Sequence, residues 1–295
     1  MSDFITTEYN AFGPWIYIIN ETHPIPPIFE RFSDAAYRSI MAFKIPRNIE
    51  RRKANENMHL YDCIVCIFKT SMLIVDRDGD DLYERRIEFS DVHAIRNFKA
   101  LLKGELTIYT KKEKILITYN TVSDDIISQA IHMILDLSKN PEVALKLPVM
   151  AYTLKSIGHL FKNTIDKLRR IDDSINLIAY QPERQLSNAD QFWGKLKSLF
   201  SPELKLLDIA FTSNNRELII ISRSSGVKDV RQEDYAYTYM FIPYHHIRMI
   251  DAPQDSKGDS LKKLHVGSSC YNFELTFDNS NIGLDSLLLE INTMI

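Results

Sequence analysis

The feature that most constrains how this chain can fold is a strand-rich pattern that occurs twice. The first instance reads Ile87-Glu-Phe-Ser-Asp-Val92-His-Ala-Ile95, and the second reads Ile242-Pro-Tyr-His-His-Ile247-Arg-Met-Ile250. Apolar residues coincide at the first, sixth and ninth positions, and an aromatic coincides at the third, Phe89 against Tyr244. Downstream, Leu106-x-Ile108 aligns with Leu264-x-Val266, and Ile115-x-Ile117-x-Tyr119 with Phe273-x-Leu275-x-Phe277. The offset grows from 155 to 158 positions between the two blocks, so the second instance carries three extra residues. Both instances then run into a polar turn and a helical stripe. A repeated order of elements is the signature of a repeated structural unit.

Around this repeat the periodicity assigns the other elements. Trp15 to Ile19 reads as a short strand stopped by Pro24, Pro26 and Pro27. Phe29, Phe32, Ala36, Ile40 and Phe43 step by three and four, which predicts a helix from Pro27 to about Lys44. A charged linker, Arg47 to Asn57, follows. Tyr61 to Phe68 and Met72 to Val75 are predicted strands, and Asp78-Gly79 predicts a tight hairpin turn with positive φ at both central residues. Ile126, Ile127, Ala130, Ile131 and Ile134 form a helical stripe, with Ser123 as the expected N-cap. Ala151 to Tyr180, with an apolar stripe from Leu154 to Ile178, predicts one long helix ended by Pro182, and a short helix is expected from Ala189 to Phe200. Strands return at Leu206–Phe211, Glu217–Ser222, Tyr235–Ile242, Leu261–Val266 and Tyr271–Phe277, before a last helical stripe of Leu284, Leu287, Leu288 and Ile291.

Composition narrows the class. The 295 residues are 45% hydrophobic and 25% charged, an ordinary globular balance that suits two domains. A formal charge of −3 argues against a surface built throughout for nucleic acid. Three cysteines cannot all pair, so a disulfide scaffold is excluded and a reducing compartment, the cytoplasm, is expected. The first ten residues are mixed and polar, unlike a signal peptide, and no apolar run approaches the roughly 20 residues of a membrane span.

The strand pair before Phe89-Ser-Asp-Val-His-Ala-Ile95, the segment Leu101-Leu-Lys-Gly-Glu-Leu-Thr-Ile108, the two strands and the closing helix resemble the pleckstrin-homology superfold, nearest its bacterial pleckstrin-homology-like and GRAM-like branches. The resemblance covers about Leu60 to Ser138 and, more weakly, Leu204 to Ile295. It implies an α+β protein with two such antiparallel domains, residues 59–140 and 204–295, preceded by an extension (1–58) and joined by a helical segment (141–203). The basic cluster by which the family holds inositol lipids, flanking the first hairpin, is missing: that turn offers Lys69 in the first copy and Arg216 in the second.

Several residue groups invite chemistry. Cys63-x-x-Cys66 has metal-site spacing, but three positions apart on a strand point to opposite faces, which predicts core cysteines. Asp76 to Asp81 has its glycine at the wrong place for a calcium loop and reads as a hairpin. His245, His246, His265 and Cys270 could in principle meet around a metal, but adjacent strand residues point to opposite faces, so only one of His245 and His246 could join an inward site. Asp190 with Glu203-Leu-Lys205 matches the loose acidic arrangement of a metal-dependent nuclease. No cofactor motif is present, and no metal site is expected. A basic zone comprises Arg85, Arg86, Arg96, Lys99, Lys103, Lys111, Lys112 and Lys114. Phe192, Trp193, Leu196 and Phe200 give the short helix an aromatic interface side.

The leading expectation is therefore a non-enzymatic binding or scaffolding protein whose partner is another protein or a further copy of this chain. The alternative is a peripheral binder of anionic lipid, at the inner face of the membrane, or of nucleic acid, through the basic zone. A nuclease-like enzyme ranks third.

Overall fold

The computed structural model describes residues 9–10, 12–55, 58–138, 157–186, 204–214, 216–223, 227–229, 235–252, 261–278, 285, 288 and 292. It is a mixed α+β chain with antiparallel sheets, in two compact units: Met1–Val92 with Leu101–Lys139, and His93–Ala100 with Asn140–Ile295. No described helix is long and apolar enough to cross a membrane.

The first unit opens with β1 (Tyr17–Ile18), a 3₁₀ stretch over Pro27–Phe32, and α1 (Ser33–Arg38). The chain then becomes strand, not helix: β2 is Met41–Pro46. The expected helix to Lys44 fails because Ser39 turns extended (ψ 160), its hydroxyl donating back to the Ala36 carbonyl. Met41, Phe43 and Ile45 then share one face of β2 with Ala42 and Lys44 on the other, all buried. Burial on both faces removes the alternation that marks a strand, so Ile40 and Phe43 mimic a helical stripe. The ammonium of Lys44 is accommodated by the Pro24 carbonyl at 2.9 Å and the Tyr61 ring at 4.4 Å.

Next come β3 (Tyr61–Ile67), β4 (Ser71–Asp78) and β5 (Asp81–Glu88), so the sheet order is β1-β2-β3-β4-β5. The β4–β5 loop is Gly79-Asp80, and only Gly79 has positive φ (64°). This is the hairpin geometry with glycine first, rather than the one needing positive φ twice. Cys66 belongs with Ile64, Leu73 and Val75 to the core formed with Phe29, Phe32 and Ala36 of the N-terminal segment.

Val92–Ala100 is β6, entered through a single 3₁₀ turn at Phe89–Asp91. Leu101-Leu102 leads into β7 (Lys103–Thr110), which pairs with β8 (Lys114–Asn120). A further 3₁₀ turn precedes α2 (Asp124–Leu137), whose buried face is Ile127, Ala130, Ile131, Ile134 and Leu135. Ser123 does not cap α2. Its hydroxyl accepts the Ile16 amide at 2.9 Å and ties the N-terminal segment down, while Asn120 receives the Val122 amide.

In the second unit α3 (His159–Ile171) and β9 (Asn176–Gln181) stand where one long helix was expected. Asp172 ends the helix. Its carboxylate accepts the Ser174 amide at 3.0 Å and hydroxyl at 2.6 Å, a local turn that competes with helix. Ile178 kept helical spacing only because Leu177, Ile178, Ala179 and Tyr180 are all buried in the strand. Phe161 of α3 packs on Tyr180, ring centroids 5.7 Å apart. Then follow β10 (Arg184–Gln185), β11 (Leu204–Leu206), β12 (Ile209–Ser213), β13 (Glu217–Ser222), β14 (Val227–Asp229) and β15 (Ala236–Pro243). A 3₁₀ turn, Tyr244–His246, leads to β16 (Ile247–Asp251), β17 (Leu261–Ser268) and β18 (Asn272–Asp278). Within this unit β9, β12, β13, β15 and the β6 segment pair in that order, and β16-β17-β18 form a separate sheet. The predicted helices at Ala189–Phe200 and at Leu284–Ile291 fall outside the described residues, apart from helical positions at Asp285 and Leu288.

The repeat extends to individual hydrogen bonds. Lys103↔Asn120 and Tyr109↔Lys114 in β7–β8 become Leu261↔Asp278 and Gly267↔Asn272 in β17–β18, each at an offset of 158. The Thr110 hydroxyl accepts the amides of Lys112 and Glu113, and the Ser268 hydroxyl accepts those of Cys270 and Tyr271. Phe89 donates its amide to the Thr70 carbonyl as Tyr244 does to that of Arg216.

Candidate anion-binding site

In the first unit a cavity of about 610 Å³ opens between two loops distant in sequence. One wall is the segment after β2, with Arg47, Asn48 and Arg51. The other is the start of β7 and the end of β8, with Leu102, Lys103, Thr118, Tyr119 and Asn120, and Phe12 and Pro14 complete the lining. Pro46 ends β2 and starts this loop, and a short 3₁₀ turn over Arg51–Lys53 follows. Gly104 is required on the opposite wall, because the Tyr119 ring lies where its Cβ would stand, within 2.3 Å. The Tyr119 hydroxyl in turn donates to Asp124 at 3.1 Å.

Among the described residues no acidic one lines this cavity, whereas three cationic ones do. Lys103 is ion-paired with Glu105 at 2.7 Å. Neither Arg47 nor Arg51 has an ion-pair partner among the described residues; Arg51 lies over the Tyr9 ring at 4.1 Å. Their neighbours behave otherwise, since Arg52 and Lys53 both pair with Glu50. Guanidinium groups offer planar, bidentate donors that match phosphate and carboxylate oxygens. Two of them beside Asn48, Asn120 and Thr118, with no acid among the described lining residues, form a site suited to a small, multiply charged anion.

Of the sequence's basic zone, only Lys103 reaches this cavity. Arg85 pairs with Asp76, and Arg86 lies over Phe68 at 5.4 Å with Ser71 at 3.4 Å. Lys111 and Lys112 are in the β7–β8 turn, and Lys114 lies over Tyr109 at 5.5 Å. Arg96 and Lys99 belong to the second unit, over the rings of Phe98 and Tyr239. Arg47 and Arg51 were hidden because they sit in a mixed charged run, and charge runs between elements usually mark solvated linkers. The β7–β8 residues facing them come from 51 or more positions further on, which no local pattern connects.

The other candidates resolve as follows. Cys63 and Cys66 are both buried, on opposite faces of β3, and burial pushes the Cys66 thiol up to about 12. Among the described residues no group of His, Cys, Asp or Glu has metal-holding geometry. His265 faces Glu274 at 3.8 Å. His245 and His246 lie in the 3₁₀ turn rather than on a strand, so their rings approach to 4.1 Å instead of pointing apart. His246 stacks on His93 at 4.1 Å, and Ser269 contacts the His93 Nδ1 at 3.4 Å. Burial, then His245, His93 and Arg248, lower His246 to about 3. Asp190, Glu203, Phe192, Trp193, Leu196 and Phe200 lie outside the described residues, and Lys205 pairs with Glu183 at 3.2 Å. Comparison with protein-family models and with curated proteins finds no match for this chain.

Proposed function

We propose that the chain is a non-enzymatic binding protein built from two pleckstrin-homology-like repeats, whose first unit captures a phosphate-bearing anionic group in the Arg47–Arg51–Lys103 cavity. Two guanidinium groups with no ion-pair partner among the described residues, in a recess whose described lining holds no acid, carry this reading. The shared strand order and hairpin register of the two repeats support the family assignment. Arg47 and Arg51 supply bidentate donors, Asn48 and Asn120 supply amide dipoles, and Lys103 adds a point charge once it exchanges Glu105 for the ligand.

The test is calorimetric titration of the full chain with inositol trisphosphate, a soluble polyphosphorylated headgroup. The expected result is saturable binding that weakens with salt and falls at least about tenfold in R47E/R51E. Equal binding by wild type and variant, or none by wild type, would refute the assignment.

A further inference from the structure

β8 ends its sheet. β7 lies along one side of it, and no described strand pairs with the other. The Thr110 amide donates to the Glu113 carbonyl at 2.9 Å, so that pair closes the hairpin with hydrogen bonds. Opposed residues in an antiparallel pair alternate between bonded and non-bonded, which makes Ile108↔Ile115 and Leu106↔Ile117 the next bonded pairs. Lys114, Leu116 and Thr118 therefore turn their N–H and C=O groups away from β7. Their side chains are exposed as well, Leu116 by 51%. Such an edge is a template for another strand unless charge, proline or a bulge blunts it. β5, at the end of the first sheet, is blunted by Glu84, Arg85 and Arg86. The repeat gives a sharper comparison. At the offset of 158, Leu116 corresponds to Glu274 on β18, which is ion-paired with Lys263 at 2.8 Å. The edge that carries charge at this position in the second repeat is apolar in the first.

We infer that two copies of this chain join through β8, antiparallel and about a two-fold axis. An axis perpendicular to the sheet sets one residue opposite its own copy, because only those registers keep facing side chains on the same side. Three residues with outward backbone groups can occupy that centre. Lys114 opposite itself sets like charges together, and Thr118 opposite itself sets Leu116 against Asn120. Leu116 opposite itself puts apolar on apolar, with Lys114 of each copy facing Thr118 of the other. Thr118 lines the cavity of Arg47 and Arg51, and Lys114 of the same chain does not. The second copy thus delivers its own Lys114 to the rim of that recess. The role of Lys114 rests on the cavity being an anion site, whereas the joining of the strands does not.

The test uses the full chain carrying C270S, which removes the exposed cysteine, in sedimentation velocity over a concentration series. This parent should sediment as a dimer. L116E copies the residue of the second repeat and sets two carboxylates against each other across the axis. Its dimer dissociation constant should rise at least about tenfold, with an unchanged thermal midpoint because the side chain is exposed. L116C should close a disulfide between copies on oxidation, since a bonded antiparallel pair holds its Cα atoms about 5.5 Å apart. Inositol trisphosphate titration then reads the rim of the cavity. K114Q should weaken binding at least about threefold in the dimeric parent and have no effect when added to monomeric L116E. A monomeric parent, an L116E dimer as tight as the parent, or a dimer that L116C fails to cross-link overturns the strand contact. An equal effect of K114Q with and without L116E overturns the delivery of Lys114 and leaves the contact standing. A cross-linking dimer that ignores inositol trisphosphate supports the contact, and overturns the cavity reading together with the role of Lys114.

Discussion

Acidification should destabilise the second unit through His246. The Nε2 atom of His246 is buried and has no hydrogen-bond partner among the described residues, and the ring stacks on His93 with His245 and Arg248 close by. A proton placed on that nitrogen finds no acceptor and meets neighbouring cationic groups, which is why the folded ring titrates near 3 against 6.5 for a free one. The unfolded chain therefore binds the proton first. Stability from the neutral ring is fully present above pH 6.5 and is lost as pH falls from 6.5 towards 3. Full linkage over that shift gives about 2 kcal/mol between pH 7 and pH 5; solvent reaching part of the ring reduces this to about 1 kcal/mol. Burial, then Arg248 and His93, lower His245 as well, which adds loss in the same direction. Urea unfolding at pH 7 and pH 5, on wild type and H246Q, isolates the effect, because each protein serves as its own baseline. The pH-dependent loss in H246Q should be smaller by about 1 kcal/mol. An equal loss in both proteins would show that His246 does not titrate with unfolding.

Two further outcomes follow from the first unit and the cysteines. At pH 8 a thiol reagent should modify Cys270, which is exposed, and reach Cys63 and Cys66 only after denaturation, as a stoichiometric absorbance assay reads directly; burial pushes both of those thiols up, and labelling of all three in the native protein would contradict their placement. G104A should cost about 1–3 kcal/mol in chemical unfolding, because a Cβ there meets the Tyr119 ring, whereas combining it with Y119A should remove most of that penalty.

The strands of the repeat were legible because their hydrophobic spacing survives at both offsets and because glycine marks the β4–β5 turn. The errors share one cause. Met41–Pro46 and Asn176–Gln181 are buried on both faces, so they carry no polar alternation, and their isoleucines and phenylalanines fall by chance at helical intervals. What separates them from helix is a single residue on each boundary, Ser39 and Asp172, whose side chains bond the local backbone. The histidine cluster was misjudged for a similar local reason: a 3₁₀ turn puts neighbours on nearly the same side, and a strand does not. The cavity needed both loops at once.

The position of β6 sets how this protein can be divided. By sequence β6 belongs to the first repeat, yet residues 93–100 pack with the second unit, where Ala236↔Ala100 through Phe241↔Ile95 give β15 its neighbour. A cut between the repeats therefore does not separate two independent folding units. A fragment starting near residue 140 would carry β15 as a bare edge bearing Tyr237, Tyr239 and Phe241, a template for sticking to other chains. The second repeat therefore depends on a strand encoded in the first: it cannot be shuffled into another protein alone without leaving β15 unpaired on that side.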